Sequence, residues 1–265
     1  MRVVLLTLAW ICCAAVAQGG EVTISASDVA LRATYVVPGT PPAGPAIVAL
    51  HGCGGPFPAR DQQWRDRLVA AGHPVLLPDS FGSRGLGSQC RVVDRRISPT
   101  GKRLGDAVAA VKWLAAQPGT PSGGVVVMGW SNGGSTVLAA ATTGAMPPGL
   151  VRGYVAFYPG CSSFARRADW SPGGKLLIIM GENDDWTPAA PCHDLAAKFP
   201  DRIKLVLIPG AYHDFDVPDR PVVVRHGLAF TAHANGVAHA GTNEPGREWA
   251  LREVPAWIAA LPPAR

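Results

Sequence analysis

The chain has 265 residues, 48% of them hydrophobic and 16% charged. That is enough for one large domain with a sizeable core, and it excludes the disordered class. The net charge of +5 comes from scattered Lys and Arg. Only "RRIS" at Arg95 and "RRAD" at Arg166 pair arginines, so the sequence offers no nucleic-acid stripe, and the charge reads as a solubility term.

The first segment, "MRVVLLTLAWICCAAVAQ", has a positive start at Arg2, an apolar run from Val3 to Ile11 and a small-residue "AVA" ending at Ala17. This predicts a secretory signal over 1–17, too short for a membrane span, and a secreted or periplasmic mature chain. A lipid anchor at Cys12 or Cys13 fits less well, because neither follows a small residue. Export leaves Cys53, Cys90, Cys161 and Cys192 in the mature chain, where an oxidising compartment lets them pair in three ways.

"EVTISA" and "LRATYVV" read as two strands with no helix between them, an antiparallel edge. "AIVAL" is a short apolar strand that runs into "HGCGG". "QQWRDRLVAAG" has helical spacing, and "PVLLPD" is the next strand. "SFGSRGLGSQC" then reads as a flexible loop, since it lacks the Lys-Ser/Thr of a phosphate-binding loop. "LGDAVAAVKWLAAQP" is an amphipathic helix. "GGVVVMG" is a strand and "STVLAAATTG" an Ala-rich helix. Beyond them, "VRGYVAFYPG", "GGKLLIIMG" and "RIKLVLIPG" are strands, while "PCHDLAAKFP" and "REWALREVPAWIAAL" are helices. Continuous apolar strands alternating with helices predict an α/β domain with a mostly parallel sheet buried on both faces. With no repeat and no long linker, one domain over 18–265 is expected. Chemistry in such sheets gathers at the carboxyl ends of the strands.

"GWSNGG" lies between a strand and a helix. A G-x-S-x-G there makes Ser131 a candidate nucleophile, held on a turn so sharp that only glycines fit at its flanks. A serine needs a base, and the base needs an orienting acid. "GENDDWTP" supplies Asp184, with Asp185 as the alternative acid, and "AYHDFD" supplies His213, both just after predicted strands. The oxyanion donors are expected to be the N–H of Asn132 and that of Cys53, or else of Gly52. His51 precedes the serine, and the glycines beside it explain its loop better than a role as base. Trp130, Trp186, Phe81 and Tyr158 lie near strand ends and are candidates to line a substrate pocket. His226, His233 and His239 carry no carboxylate pattern, so no metal or cofactor is expected.

The sequence resembles the dienelactone hydrolase-like branch of the α/β-hydrolases. "HGCGG", "GWSNGG", "GENDDWTP" and "GAYHDF" carry the resemblance, and some segments are also similar to secreted cutinase-like polyesterases. It implies an α/β-hydrolase fold with a central, mostly parallel sheet of about eight strands and helices on both faces. It assigns the acid to Asp184, four residues before Pro188, and the base to His213. Ser131 stands where the best-known dienelactone hydrolases carry cysteine. Val217 stands where they place an arginine, and Arg84 falls one residue away from a second carboxylate-holding arginine. These departures point to neutral short esters as better substrates than dienelactone. In that fold the strands ending at Leu50 and Leu77 are neighbours, as are "GYVAFYPG" and "KLLIIMG". The disulfides are therefore expected to be Cys53–Cys90 and Cys161–Cys192.

The reading is a secreted serine carboxylic-ester hydrolase, a monomer acting on a small-molecule or polymer ester, with no nucleic-acid partner and no membrane span. An acyltransferase or a polyesterase would use the same triad. A non-catalytic binding protein on this fold would not need the complete set of triad residues and glycines.

Overall fold

A computed structural model of the protein describes residues 17–264. Apart from Ala17, the segment read as an export signal lies outside the described residues. The edge of the sheet is a hairpin: β1 (Gln18–Ser25) pairs antiparallel with β2 (Ala30–Val37). Next come β3 (Ala46–Leu50), α1 (Pro58–Ala70) and β4 (Val75–Pro78). They are followed by α2 (Lys102–Ala115), β5 (Val125–Trp130), α3 (Asn132–Ala141) and β6 (Val151–Phe157). A short α4 (Ser162–Ala165), β7 (Leu176–Gly181), α5 (Ala190–Lys198) and β8 (Ile203–Ile208) complete the main alternation. The chain then forms β9 (Val223–Arg225) and β10 (Ala238–Ala240) and ends with α6 (Glu244–Ala259).

The eight-stranded sheet has the order β1-β2-β4-β3-β5-β6-β7-β8. From β4 to β8 every pairing is parallel. The apolar runs explain this arrangement. Every residue of β3, β5 and β7 is buried, which requires cover on both faces of the sheet. Helix α1 packs beside α6, and α2 packs beside α3. Among the described residues no helix is long and apolar enough to cross a membrane.

Both disulfides join segments that follow neighbouring parallel strands. Cys53, just after β3, joins Cys90, in the loop after β4. Cys161, after β6, joins Cys192 in α5. In the chain-entropy view each bridge stabilises by about 2–4 kcal/mol.

Three local features differ from the sequence reading. The loop after β4 contains a 3₁₀ turn, Gly82–Arg84, and the polar segment after β6 contains α4. The stretch between β8 and α6 is a flap built on the β9–β10 pair, antiparallel and only three residues a side. Strands this short leave too few residues for a period-2 pattern to register.

Candidate active site

Ser131 sits where β5 turns into α3 at φ 53° and ψ −115°, a left-handed conformation rare for a residue with a Cβ. The turn is tight on both sides. A Cβ on Gly129 would lie 2.6 Å from the Gly133 carbonyl oxygen, and one on Gly133 would collide with the Leu50 and His51 carbonyls. The strain of order 1–3 kcal/mol at such a residue persists because the surrounding backbone fixes it.

His213 leaves the end of β8 and points its Nε2 at Ser131 Oγ, 2.9 Å away. Its Nδ1 lies 2.8 Å from Asp184 Oδ2. Asp184 is itself held, because its Oδ1 accepts the N–H groups of Trp186 and Thr187, each at 2.9 Å. The imidazole lies between the Tyr158 ring at 4.5 Å and the Trp186 ring at 4.6 Å. Burial pushes the His213 imidazolium down, but the charge and hydrogen bond of Asp184 outweigh it, and its pKa lies above the ordinary histidine value. Asp185 is turned away toward the flap, where it accepts from the His239 N–H at 2.8 Å and lies 2.7 Å from His239 Nδ1. The two adjacent aspartates thus do different jobs, and Asp184 is the one beside His213.

Two clefts open on Ser131 and share Cys53 and Trp186. The larger, about 500 Å³, also holds Asn132, Phe164 and Phe230. The smaller, about 200 Å³, holds His213 with Arg220 and Arg225.

Not every residue expected at the pocket is there. Trp130 is fully buried, its Nε1 donating to Asp216 Oδ2 at 2.8 Å and the Arg60 guanidinium lying 4.5 Å over its ring. As the last residue of β5 it faces away from the serine's cleft and meets Trp64 of α1. Phe81 and Tyr158 are likewise buried beneath the site. Trp186 is in place, lining both clefts. Arg84 lines neither of them. Its guanidinium grips Asp106 through two hydrogen bonds at 2.8 Å and also holds Asp28. Asp106 is buried, so Arg84→Ala strands a charge away from water. We expect that variant to lose about 3 kcal/mol of stability with KM unchanged, read by thermal unfolding and ester kinetics. A raised KM at unchanged stability would restore Arg84 to the substrate site.

Two buried groups escaped the sequence reading. Asp216 accepts from Trp64 Nε1, Trp130 Nε1 and Tyr158 OH at 2.7–2.8 Å, anchoring the loop that carries His213. Burial raises its pKa, against the pull of Arg60. Arg103, near the start of α2, reaches under the site to Asn132 and His51. A lone buried charge leaves no periodic signal in the sequence.

The sequence profile of the dienelactone hydrolase family matches residues 31–253. The chain belongs to the dienelactone hydrolase family. As a member it is an α/β-hydrolase acting on ester bonds. Solved structures with this fold include a protein from Klebsiella pneumoniae subsp. pneumoniae assigned as a dienelactone hydrolase, at TM-score 0.67 and 17% identity, covering 92% of this chain and 99% of that one. The dienelactone hydrolase of Anabaena variabilis aligns at TM-score 0.58 and 24% identity, over 76% of this chain and 90% of its own. An esterase of Pyrobaculum calidifontis aligns at 0.60 and 20%, over 92% and 85%. At such identities these likenesses speak for the fold alone. No curated protein matches the chain.

Proposed function

We propose that this family member is an exported serine esterase that works through an acyl-enzyme on Ser131. The observation that carries the reading is the hydrogen-bonded chain from Asp184 through His213 to Ser131. With Asp184 accepting the Nδ1–H, His213 keeps Nε2 free to take the Ser131 proton as Oγ attacks the ester carbonyl. The negative oxygen then meets the N–H groups of Cys53 and Asn132. The latter is the first residue of α3, so its N–H has no partner within the helix and the helix dipole adds to the donor. His213 next gives its proton to the departing alcohol. Because His213 lines the smaller cleft, the alcohol half belongs there and the acyl half in the larger one. Water clears the acyl group by the same route in reverse.

The two disulfides support an oxidising compartment, in keeping with the export signal read at 1–17. The catalytic unit is one domain over 18–265, acting as a monomer.

Neither family arginine position is free to hold a carboxylate, since Val217 is buried in the core and Arg84 is ion-paired. Arg220 lines the alcohol side but already faces Asp214 at 3.9 Å. The larger cleft sets Phe164, Trp186 and Phe230 beside Ser162, Ser163, Arg95 and Arg166, so polar groups interrupt its apolar lining. A series of p-nitrophenyl esters is therefore expected to give the highest kcat/KM at acetyl and butyryl and a steady decline to lauroyl, with dienelactone slower than the acetyl ester. Rising turnover through lauroyl, or efficient dienelactone cleavage lost in Arg220→Ala, would overturn this substrate assignment.

A further inference from the structure

The side chain of Arg103 is almost completely buried, yet its Nε has no hydrogen-bond partner among the described residues. The carboxylate one turn along α2, Asp106, is already held by Arg84. Burial pushes the guanidinium down to about 9, which leaves it a cation at neutral pH. An unpaired buried cation is costly, so what it touches is informative. Its Nη1 donates to Asn132 Oδ1 at 2.5 Å, and its Nη2 donates to the His51 carbonyl at 2.7 Å. These two acceptors belong to the two separate segments that present the oxyanion donors.

We infer that Arg103 is a positioning residue of the oxyanion hole, clamping the start of α3 to the loop after β3 so that the Asn132 and Cys53 N–H groups converge. The inference rests on the serine-esterase reading above. His51 completes the device. Its Nε2 accepts the Ser80 N–H at 3.1 Å, which leaves the proton on Nδ1, 2.8 Å from the Gly52 carbonyl. Burial and the Arg103 charge hold its pKa well below the ordinary value, so the ring stays neutral and keeps that tautomer. The Gly52 carbonyl shares its peptide unit with the Cys53 N–H. A hydrogen bond onto that carbonyl both orients the N–H and polarises it toward the oxyanion. Arg103 thus fixes the first donor through the Asn132 side chain and the second through the backbone of His51. The Phe81 ring, 5.0 Å from the guanidinium, closes the site from below.

Such a clamp acts in the transition state, when the oxyanion forms, and little in substrate binding. Arg103→Met is expected to lower kcat about 10- to 100-fold, less than or comparable to the about 10²–10³-fold cost of a lost donor, with KM nearly constant. A phenylboronic acid places a tetrahedral adduct oxygen in the same hole, so its Ki should rise by the factor that kcat/KM falls. Arg103→Lys keeps the charge and should recover part of the loss. A folded Arg103→Met with unchanged kcat and boronate Ki, or a loss confined to KM, would overturn the assignment. If Arg103→Met does not fold, Asn132→Ala carries the test, because it deletes the acceptor and keeps the backbone N–H. Its kcat should fall about tenfold, and an unchanged kcat in that variant overturns the clamp. A wild-type enzyme in which Ser131 resists phosphonate labelling defeats the esterase reading itself, and the clamp with it. Normal labelling with an unaffected Arg103→Met defeats the clamp alone.

Discussion

Ser131→Ala is expected to lower kcat by about 10⁴-fold or more while leaving the protein folded. The size of the effect follows from the role proposed for Oγ, the hydroxyl held 2.9 Å from His213 Nε2. The proposed oxyanion donors are backbone groups and survive the change, so residual catalysis over water should persist. The fold survives as well. Alanine keeps the Cβ that already occupies the left-handed turn at φ 53°, and the glycines that make room for the turn are untouched. Circular dichroism and thermal unfolding should match the parent while p-nitrophenyl acetate turnover collapses. Near-full activity in a folded Ser131→Ala protein would end the mechanism proposed here.

Asp184→Asn should be nearly as damaging, with a loss of about 10⁴-fold in kcat. Asp184 Oδ1 is committed to the N–H groups of Trp186 and Thr187. An asparagine must keep its oxygen there, which turns its NH₂ onto His213 Nδ1. The ring then carries its proton on Nε2 and can no longer accept from Ser131. Asp185→Asn leaves the Asp184–His213–Ser131 contacts alone and weakens the flap contacts to His239, so its loss should be at most a few-fold. The pH profile adds a signed check. His213 must be neutral to act as base, and Asp184 holds its pKa above the ordinary value of about 6.5. The acid limb of kcat/KM should therefore lie above that value in the parent. It should move to lower pH in Asp184→Asn, where only the weaker pull of Asp214 and Asp216 still opposes burial. A reversed ranking of the two variants would hand the role of acid to Asp185.

The sheet was readable because β3, β5 and β7 are buried on both faces and must be apolar throughout. The same pattern placed Ser131, Asp184 and His213 at the carboxyl ends of strands, and strand adjacency gave the two disulfides. What the pattern could not carry was direction and tertiary pairing. Trp130 follows the strand's alternation into the core, although its neighbour Ser131 projects to the cleft. Arg84 looked free in a glycine-rich loop, but its partners Asp28 and Asp106 are distant in sequence. Asp216 and Arg103 are buried charges whose partners come from several separate elements. The flap that places Phe230, Arg220 and Arg225 around the clefts has strands too short to announce themselves.

The central claim is that Ser131 is the nucleophile, and covalent labelling tests it most directly. The active enzyme is treated with an organophosphonate, digested, and its peptides mapped by mass spectrometry alongside residual esterase activity. One adduct per chain on the peptide carrying Ser131, rising in step with the loss of activity, is the predicted result. An adduct on a different residue that accompanies inactivation, or full activity beside a completely labelled Ser131, would contradict it.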